Sequence, residues 1–257
     1  MGILDGKRIL ITGVLNDQSL AFATARVAQA EGAQVLLTGF GRGMSITQRV
    51  ARKLDPVPEV LELDVTVPEH FDNLAAAIAE RFGALDGVLH SIGFAPAACL
   101  DDDIFLAGWE DVATALQVSA YSLAPLVKSL LPLLERGGHP SVIGLDFDAT
   151  VAWPGYNWMG VAKAALESLS RYMAREAGKH GVRVNLVSAG PMRTIAAKSV
   201  PGFSDFESVW DVRAPLGWSA TDPEPVARSV VALLSDFFPA TTGELIHVDG
   251  GFHAIGA

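Results

Sequence analysis

A chain of 257 residues with 50% hydrophobic and 19% charged side chains has ample apolar surface to fold, which excludes disordered, collagen-like and disulfide-built classes. Nineteen basic against 29 acidic residues leave a net charge of −10, so no nonspecific attraction to nucleic acid is expected. Mean hydropathy is high at +0.32, yet charges interrupt every apolar stretch. Lys128 breaks the longest, none reaches the roughly 18 residues of a membrane span, and no membrane partner is expected.

In chain order, Lys7 and Arg8 lead straight into a first apolar strand over 8–12, which leaves no room for an export signal. Further strands are expected at 34–39, 60–63, 87–91, 141–145, 183–188 and 244–248. Amphipathic helices are expected between them at 20–31, 45–54, 69–82, 109–134, 156–180 and 225–234. Gly32, Gly83, Gly137-Gly138 and Gly181 stand at helix ends, and Thr221-Asp222-Pro223-Glu224 reads as a helix start. Short, nearly continuous apolar strands alternating with helices predict an α/β fold: one doubly wound Rossmann domain over 1–257 with a seven-stranded parallel sheet. Periodicity stops over 193–215, where Phe203, Phe206 and Trp210 are scattered among polar residues. A long excursion after a strand's C-terminal end lies over the ligand crevice, so this segment is a candidate substrate-binding lid. The single Cys99 fits a reducing, cytoplasmic setting. Asp101-Asp102-Asp103 reads as a solvated loop, and His70, His139, His180, His247 and His253 lack paired ligand spacing, so no metal is expected.

The first strand ends Thr12-Gly13-Val14-Leu15-Asn16-Asp17-Gln18-Ser19-Leu20. A glycine after a first strand and a small polar residue opening a helix suit a pyrophosphate site. Gly13 permits close backbone approach, and amides with the Ser19 hydroxyl can meet phosphate oxygens. The three-glycine fingerprint is absent, and Ser19 equally suits an ordinary N-cap. Support comes from later strand ends. The second ends Gly39-Phe40-Gly41-Arg42 without the usual ribose-binding acid; Phe40 can stack on adenine and Arg42 leaves a 2′-phosphate contact open. Asp64-Val65 follows the third strand, where Asp64 can meet the adenine amino group or cap the helix near Pro68. The fourth ends His90-Ser91-Ile92-Gly93-Phe94 and the sixth Ala189-Gly190-Pro191-Met192-Arg193-Thr194.

Tyr156 and Lys163 stand seven residues apart on a predicted helix, nearly on one face at about 100° per residue. An ammonium near a phenol favours developing negative charge and can also hydrogen-bond a ribose. Elsewhere, such a pair is a half-buried tyrosine and a solvated lysine.

These segments, with Leu145-Asp146-Phe147, Tyr156-Asn157-Trp158-Met159 through Ala162-Lys163-Ala164-Ala165-Leu166-Glu167 and the C-terminal Val248-Asp249-Gly250-Gly251, resemble the short-chain dehydrogenase/reductase superfamily. Within it the chain resembles the enoyl-acyl carrier protein reductases, most of all the mycobacterial branch acting on mycolic-acid precursors. The resemblance spans nearly the whole chain. Ordinary carbonyl reductases of the superfamily carry the catalytic tyrosine four residues before the lysine, where this chain has Met159, and a serine at the end of the fifth strand, where it has Gly144-Leu145-Asp146. The displaced tyrosine suits an enoyl thioester: hydride goes to the β-carbon, and charge gathers on a carbonyl oxygen two bonds farther off.

The resemblance implies that Tyr156 steadies the enolate, Lys163 holds the nicotinamide ribose and Phe147 sits beside the substrate. It implies that Gly13, Val14, Leu15, Ser19, Leu20, Phe40, Asp64 and Val65 line the cofactor. Ser91, Ile92, Gly93, Ala189, Gly190, Pro191, Met192 and Thr194 join them, with Phe94, Met159, Phe203 and Trp210 in the substrate pocket. NADH is the implied cofactor, with NADPH left open by Phe40-Gly41-Arg42. An acyl carrier protein or CoA thioester is the implied substrate, and a homotetramer the implied assembly. The segment 193–215 is shorter than the substrate loop of the long-chain mycobacterial enzymes, which implies a shallower channel and shorter acyl chains. The alternatives are a carbonyl reductase, disfavoured by Met159, and a non-catalytic dinucleotide sensor, which gives no reason to keep both Tyr156 and Lys163.

Overall fold

The computed structural model describes residues 1–194, 197, 200 and 203–256, with backbone alone for 204–206. Among them the strands are β1 (Arg8–Ile11), β2 (Gln34–Gly39), β3 (Val60–Glu62), β4 (Gly87–His90), β5 (Ser141–Asp146), β6 (Arg183–Ala189) and β7 (Leu245–Val248). They form one parallel sheet in the order β3-β2-β1-β4-β5-β6-β7. The helices are α1 (Leu20–Ala30), α2 (Gly41–Ala51), α3 (Pro68–Phe82), α4 (Trp109–Leu116), α5 (Leu123–Leu134), α6 (Asn157–Ala177), α7 (Phe203–Arg213) and α8 (Glu224–Leu234).

The two-residue period of a strand explains the layering. In β1, Ile9 and Ile11 enter a core shared with α1 and α8, whereas Leu10 enters one shared with α3, α5 and α6. In β2, Val35 and Leu37 side with Ile9, and Leu36 sides with Leu10. Both faces of the sheet are therefore dry, which is why its strands read as continuous apolar runs. No helix among the described residues is long and apolar enough to cross a membrane.

Three expectations about elements are corrected. The segment 193–215 is not irregular throughout, because α7 runs through it. Phe203, Trp210 and Ala214 recur at i, i+7 and i+11 and pack as one stripe against Phe252, while Ile195, Ala196, Lys198, Ser199, Pro201 and Gly202 lie outside the described residues. The expected helix over 109–134 is interrupted by a π turn at Gln117–Tyr121, which turns Ser119 and Ser122 toward the end of β4. Helix α2 begins at Gly41 rather than Ser45: Phe40 O accepts from Met44 N at 3.1 Å, so tertiary packing overrides the weak propensity of Gly41 and Gly43.

At the opposite end of the sheet from the strand C-termini, Asp86 ties β1 to β4. It accepts from Arg8 N at 2.9 Å, Arg8 Nε at 2.7 Å and Gly138 N at 2.7 Å. Burial pushes the Asp86 carboxyl up, but the bonds from Arg8 and Gly138 outweigh it and hold it below the usual carboxylate range. A depressed carboxylate contributes stability above its unfolded pKa of about 3.9, which is lost as pH falls through the folded value. Asp86→Asn is expected to cost about 2 kcal/mol at pH 7, read as a lower urea midpoint, with the gap from the parent closing toward pH 3. Equal midpoints at pH 7 would contradict this account.

Candidate active site

The strand order reverses between β1 and β4, because chain connections run outward from these two neighbours in opposite directions. In such sheets the crevice at the strand C-termini opens at that point. Gly13 stands there with φ of +82°, and a Cβ on it would lie 1.8 Å from Ser91 O. The β1 and β4 ends approach too closely for any side chain at this position. Thr12 Oγ1 seals the junction, donating to Leu89 O at 3.0 Å and accepting from Ser91 N at 3.0 Å.

Ser19 is the N-cap of α1. Its Oγ accepts from Phe22 N at 3.2 Å and donates to Asn16 O at 2.8 Å, so the capping role is realised. Val14 is buried and Leu15 exposed. Thr47 on α2 donates to Val14 O at 2.7 Å, fixing the turn after β1 from the second helix. Phe40 follows β2 and is half exposed, with its ring in the open at the crevice edge.

Asp64 Oδ1 accepts from Thr66 N and Thr66 Oγ1 at 2.9 and 2.6 Å, while Asp64 N donates to His70 Nδ1 at 3.0 Å. It closes its own turn rather than capping α3, whose N-cap position is Val67. Val65 is buried beneath it. Past β4, Ser91 and Ile92 are half-buried, and Gly93 is open, with Ser119 Oγ 4.0 Å from where a Cβ would stand. Ser119 Oγ accepts from Phe94 N and donates to Phe94 O, clamping this loop while Phe94 stays exposed.

Next along the crevice, Lys163 is buried on α6, and its Nζ donates to Leu145 O at 2.8 Å and lies 3.8 Å from Asp146 Oδ1. Burial pushes the lysine down and Asp146 opposes that; burial likewise pushes the Asp146 carboxyl up to about 7. His90 is wholly enclosed, with Nε2 2.8 Å from Ser122 Oγ, and burial and the Lys163 charge lower it to about 3. It is a neutral imidazole at physiological pH. Tyr156 occupies the N-cap position of α6, one residue before the helix proper, and caps no amide with its side chain. Burial and the charge of Asp146 push its phenol above the ordinary range, so it is a proton-bearing donor.

Phe147 meets Tyr156 edge-on, with ring centroids 5.2 Å apart at 65°. Behind it stand Trp153 at 5.5 Å and Trp210 at 6.0 Å, and Trp210 stacks on Phe252 at 3.7 Å. Trp210, expected in the substrate pocket, is only 2% exposed and lies within this aromatic cluster. Phe203 packs against the same cluster. Met159 is buried in a separate apolar cluster against which Tyr156 and Trp158 pack. At the end of β6 and just past it, Ala189, Pro191 and Met192 are buried, and a Cβ on Gly190 would lie 2.6 Å from the Trp218 ring. Gly190 is thus explained by tryptophan packing. Thr194 Oγ1 accepts from Ala197 N at 3.2 Å, and Arg193 pairs with Glu207 of α7 at 2.6 Å, tying the strand end to that helix.

The structure therefore brings Tyr156, Lys163 and Phe147 to one end of the sheet beside the β1–β4 crevice. Residues that sequence reasoning missed include Thr12, Thr47, Ser119, Trp153 and Phe252. Hydroxyls at strand ends and in mid-helix were the available signal for the first three. No group of His, Cys, Asp and Glu among the described residues is arranged to hold a metal.

A doubly wound parallel sheet with a tyrosine-lysine pair at its central crevice defines a dinucleotide-dependent oxidoreductase of the short-chain type. The family model for enoyl-(acyl carrier protein) reductase matches residues 13–253. The chain is 49% identical to an enoyl-[acyl-carrier-protein] reductase [NADH] of Mycolicibacterium smegmatis, covering 97% of each chain. It is also 49% identical to that of Mycobacterium avium over 97% of each, and 39% identical to the Aquifex aeolicus protein of the same description, over 100% of this chain and 94% of the other. The chain belongs to the enoyl-acyl carrier protein reductase family.

Replacing Gly13 by alanine combines a strained φ with a backbone collision, so Gly13→Ala is expected to lower the melting temperature by about 5 °C or more. An unchanged melt, followed by circular dichroism, would show that β1 and β4 are not so close.

Proposed function

We infer that the protein reduces the carbon–carbon double bond of trans-2-enoyl thioesters carried on acyl carrier protein, using NADH. One arrangement carries this reading: a proton-bearing Tyr156 against Phe147, seven residues before a buried Lys163, with Met159 sunk in an apolar cluster at the position four before it. A thioether cannot donate a proton, so a carbonyl-reductase acid is absent from that place. The family relatives, by their printed descriptions, support the same reaction and cofactor.

The residues present fit a dinucleotide. Gly13 admits only backbone at the β1–β4 crevice, Gly93 is open, and Phe40 offers an exposed ring. Gly13, Val14, Leu15, Ser19 and Leu20 would hold the pyrophosphate turn, with Phe40, Asp64 and Val65 around the adenine. Ser91, Ile92 and Gly93 would line the passage between. Ala189, Gly190, Pro191, Met192 and Thr194 would flank the nicotinamide end, where Lys163 meets the ribose. The bound NADH supplies the hydride that adds to the β-carbon.

Tyr156 donates a hydrogen bond to the thioester oxygen, where the displaced electron pair collects as an enolate. The Lys163 ammonium adds positive potential to the same dry region. Phe147, backed by Trp153 and Trp210, excludes water from the reacting carbons and keeps the acyl chain against an apolar wall. A proton reaching the α-carbon completes the saturated thioester. Phe94, Met159 and Phe203 would line the acyl path, and α7 would form part of its lid. We further read the assembly as a homotetramer working in the cytoplasm.

Tyr156→Phe is expected to lower kcat on an enoyl thioester by about ten- to a thousandfold with little change in NADH affinity. Lys163→Ala is expected to weaken NADH binding. Full kcat in Tyr156→Phe would remove the phenol from the mechanism, and NADH oxidation with a β-ketoacyl but not an enoyl thioester would make the protein a carbonyl reductase. Across a ladder of acyl lengths, the short 193–215 segment predicts faster turnover of short 2-enoyl thioesters; faster turnover of very long ones would contradict it.

A further inference from the structure

Asp146 ends β5 with its carboxylate enclosed, and neither oxygen meets a donor at full hydrogen-bond geometry among the described residues. The donors facing it are the Phe147 amide and Lys163. An enclosed carboxylate that lacks close donors is costly to keep, so its retention calls for a charge partner. Lys163 Nζ, 3.8 Å away, is that partner. The ammonium in turn has one close acceptor, the neutral Leu145 O at 2.8 Å, and Asp146 is the carboxylate within ion-pair distance of it among the described residues.

The surrounding groups do not replace it. His90, facing Lys163 from β4, is neutral, and Tyr156 keeps its proton. Glu167, one turn farther along α6, and Asp148, beyond β5, act on Asp146 from a greater distance and push its carboxyl up. Glu167 is also engaged with Ala149 N at 3.3 Å, and Asp148 with Thr150 at 2.6 Å.

We propose that Asp146 is a positioning residue: it supplies the counter-charge that keeps the Lys163 ammonium charged and in place for the cofactor ribose. The proposal rests on the reading of Lys163 as the ribose-binding group. A lysine deprived of that carboxylate, in a buried place with only a carbonyl to bond, releases its proton at lower pH. It then lacks the charge and one donor that bind the ribose.

The test is NADH affinity, followed by fluorescence between about pH 6 and 9, in the parent, Asp146→Asn, Asp146→Glu and Lys163→Ala. Asp146→Asn should bind nearly as the parent does at the acid end and lose about tenfold or more in affinity by the alkaline end. Asp146→Glu should restore most of the parent profile, and Lys163→Ala should bind weakly throughout. A parallel pH profile for Asp146→Asn and the parent, with weak binding by Lys163→Ala, overturns the proposal and leaves the lysine's role intact. Parent-like binding by Lys163→Ala overturns that role, and the proposal with it. A second measurement needs no variant: in the NADH complex of the lysine-labelled parent, NMR of Lys163 Nζ should show an ammonium through about pH 8. Loss of the proton below neutrality overturns the proposal.

Discussion

A lysine ammonium removed from water, bonded to the Leu145 carbonyl and facing the Asp146 carboxylate, is the interaction around which the catalytic end of the sheet is organised. The ammonium can occupy that place only because α6 lies along β5 and β6 and carries Lys163 to the strand end. Its positive charge has consequences at a distance. Together with the burial that dominates, it keeps His90 neutral, so β4 contributes a hydrogen bond to Ser122 instead of a competing cation. Low dielectric strengthens each of these effects, and the aromatic cluster of Phe147, Trp153, Trp210 and Phe252 helps exclude water from the region.

The cofactor half of the crevice depends on a different constraint, the narrow gap between β1 and β4. A protein of net charge −10 gains no general attraction for an anionic dinucleotide, so binding must be local. In the proposed reading, the turn at Gly13, the helix start at α1 and loops braced by Thr12, Thr47 and Ser119 would provide it. The bracing hydroxyls all bond backbone atoms of the strand-end loops, which fixes the loops without placing a side chain in the crevice.

Much of this was legible in the sequence because both faces of the sheet are buried. Continuous apolar runs such as Ile9-Leu10-Ile11 in β1 and Val35-Leu36-Leu37 in β2 have no polar alternation to confuse them with exposed strands. The Tyr156–Lys163 spacing and the strand-end glycines pointed to the candidate site. What escaped depends on contacts between distant segments. Helix α7 hides its stripe in widely spaced residues, Phe203, Trp210 and Ala214, whose partner Phe252 lies beyond α8 and β7, near the C-terminus. The π turn at Gln117–Tyr121 has no local signature, since it exists to aim Ser119 and Ser122 at β4. The stacking of Trp210 on Phe252, beside Phe147, likewise joins segments far apart in sequence. Asp146 was visible only as a departure from the usual serine, and its isolation from close donors needed coordinates.

The central claim is that one buried lysine on α6 and one neutral phenol at its N-cap position face the reductant and the thioester. A crystal structure of the ternary complex with NAD⁺ and a 2-enoyl thioester tests it most directly. The account predicts nicotinamide ribose hydroxyls within hydrogen-bond distance of Lys163 Nζ and the thioester oxygen on the Tyr156 hydroxyl, with the acyl chain against Phe147. A dinucleotide bound away from the β1–β4 crevice, or a thioester oxygen held by a different side chain, would contradict it.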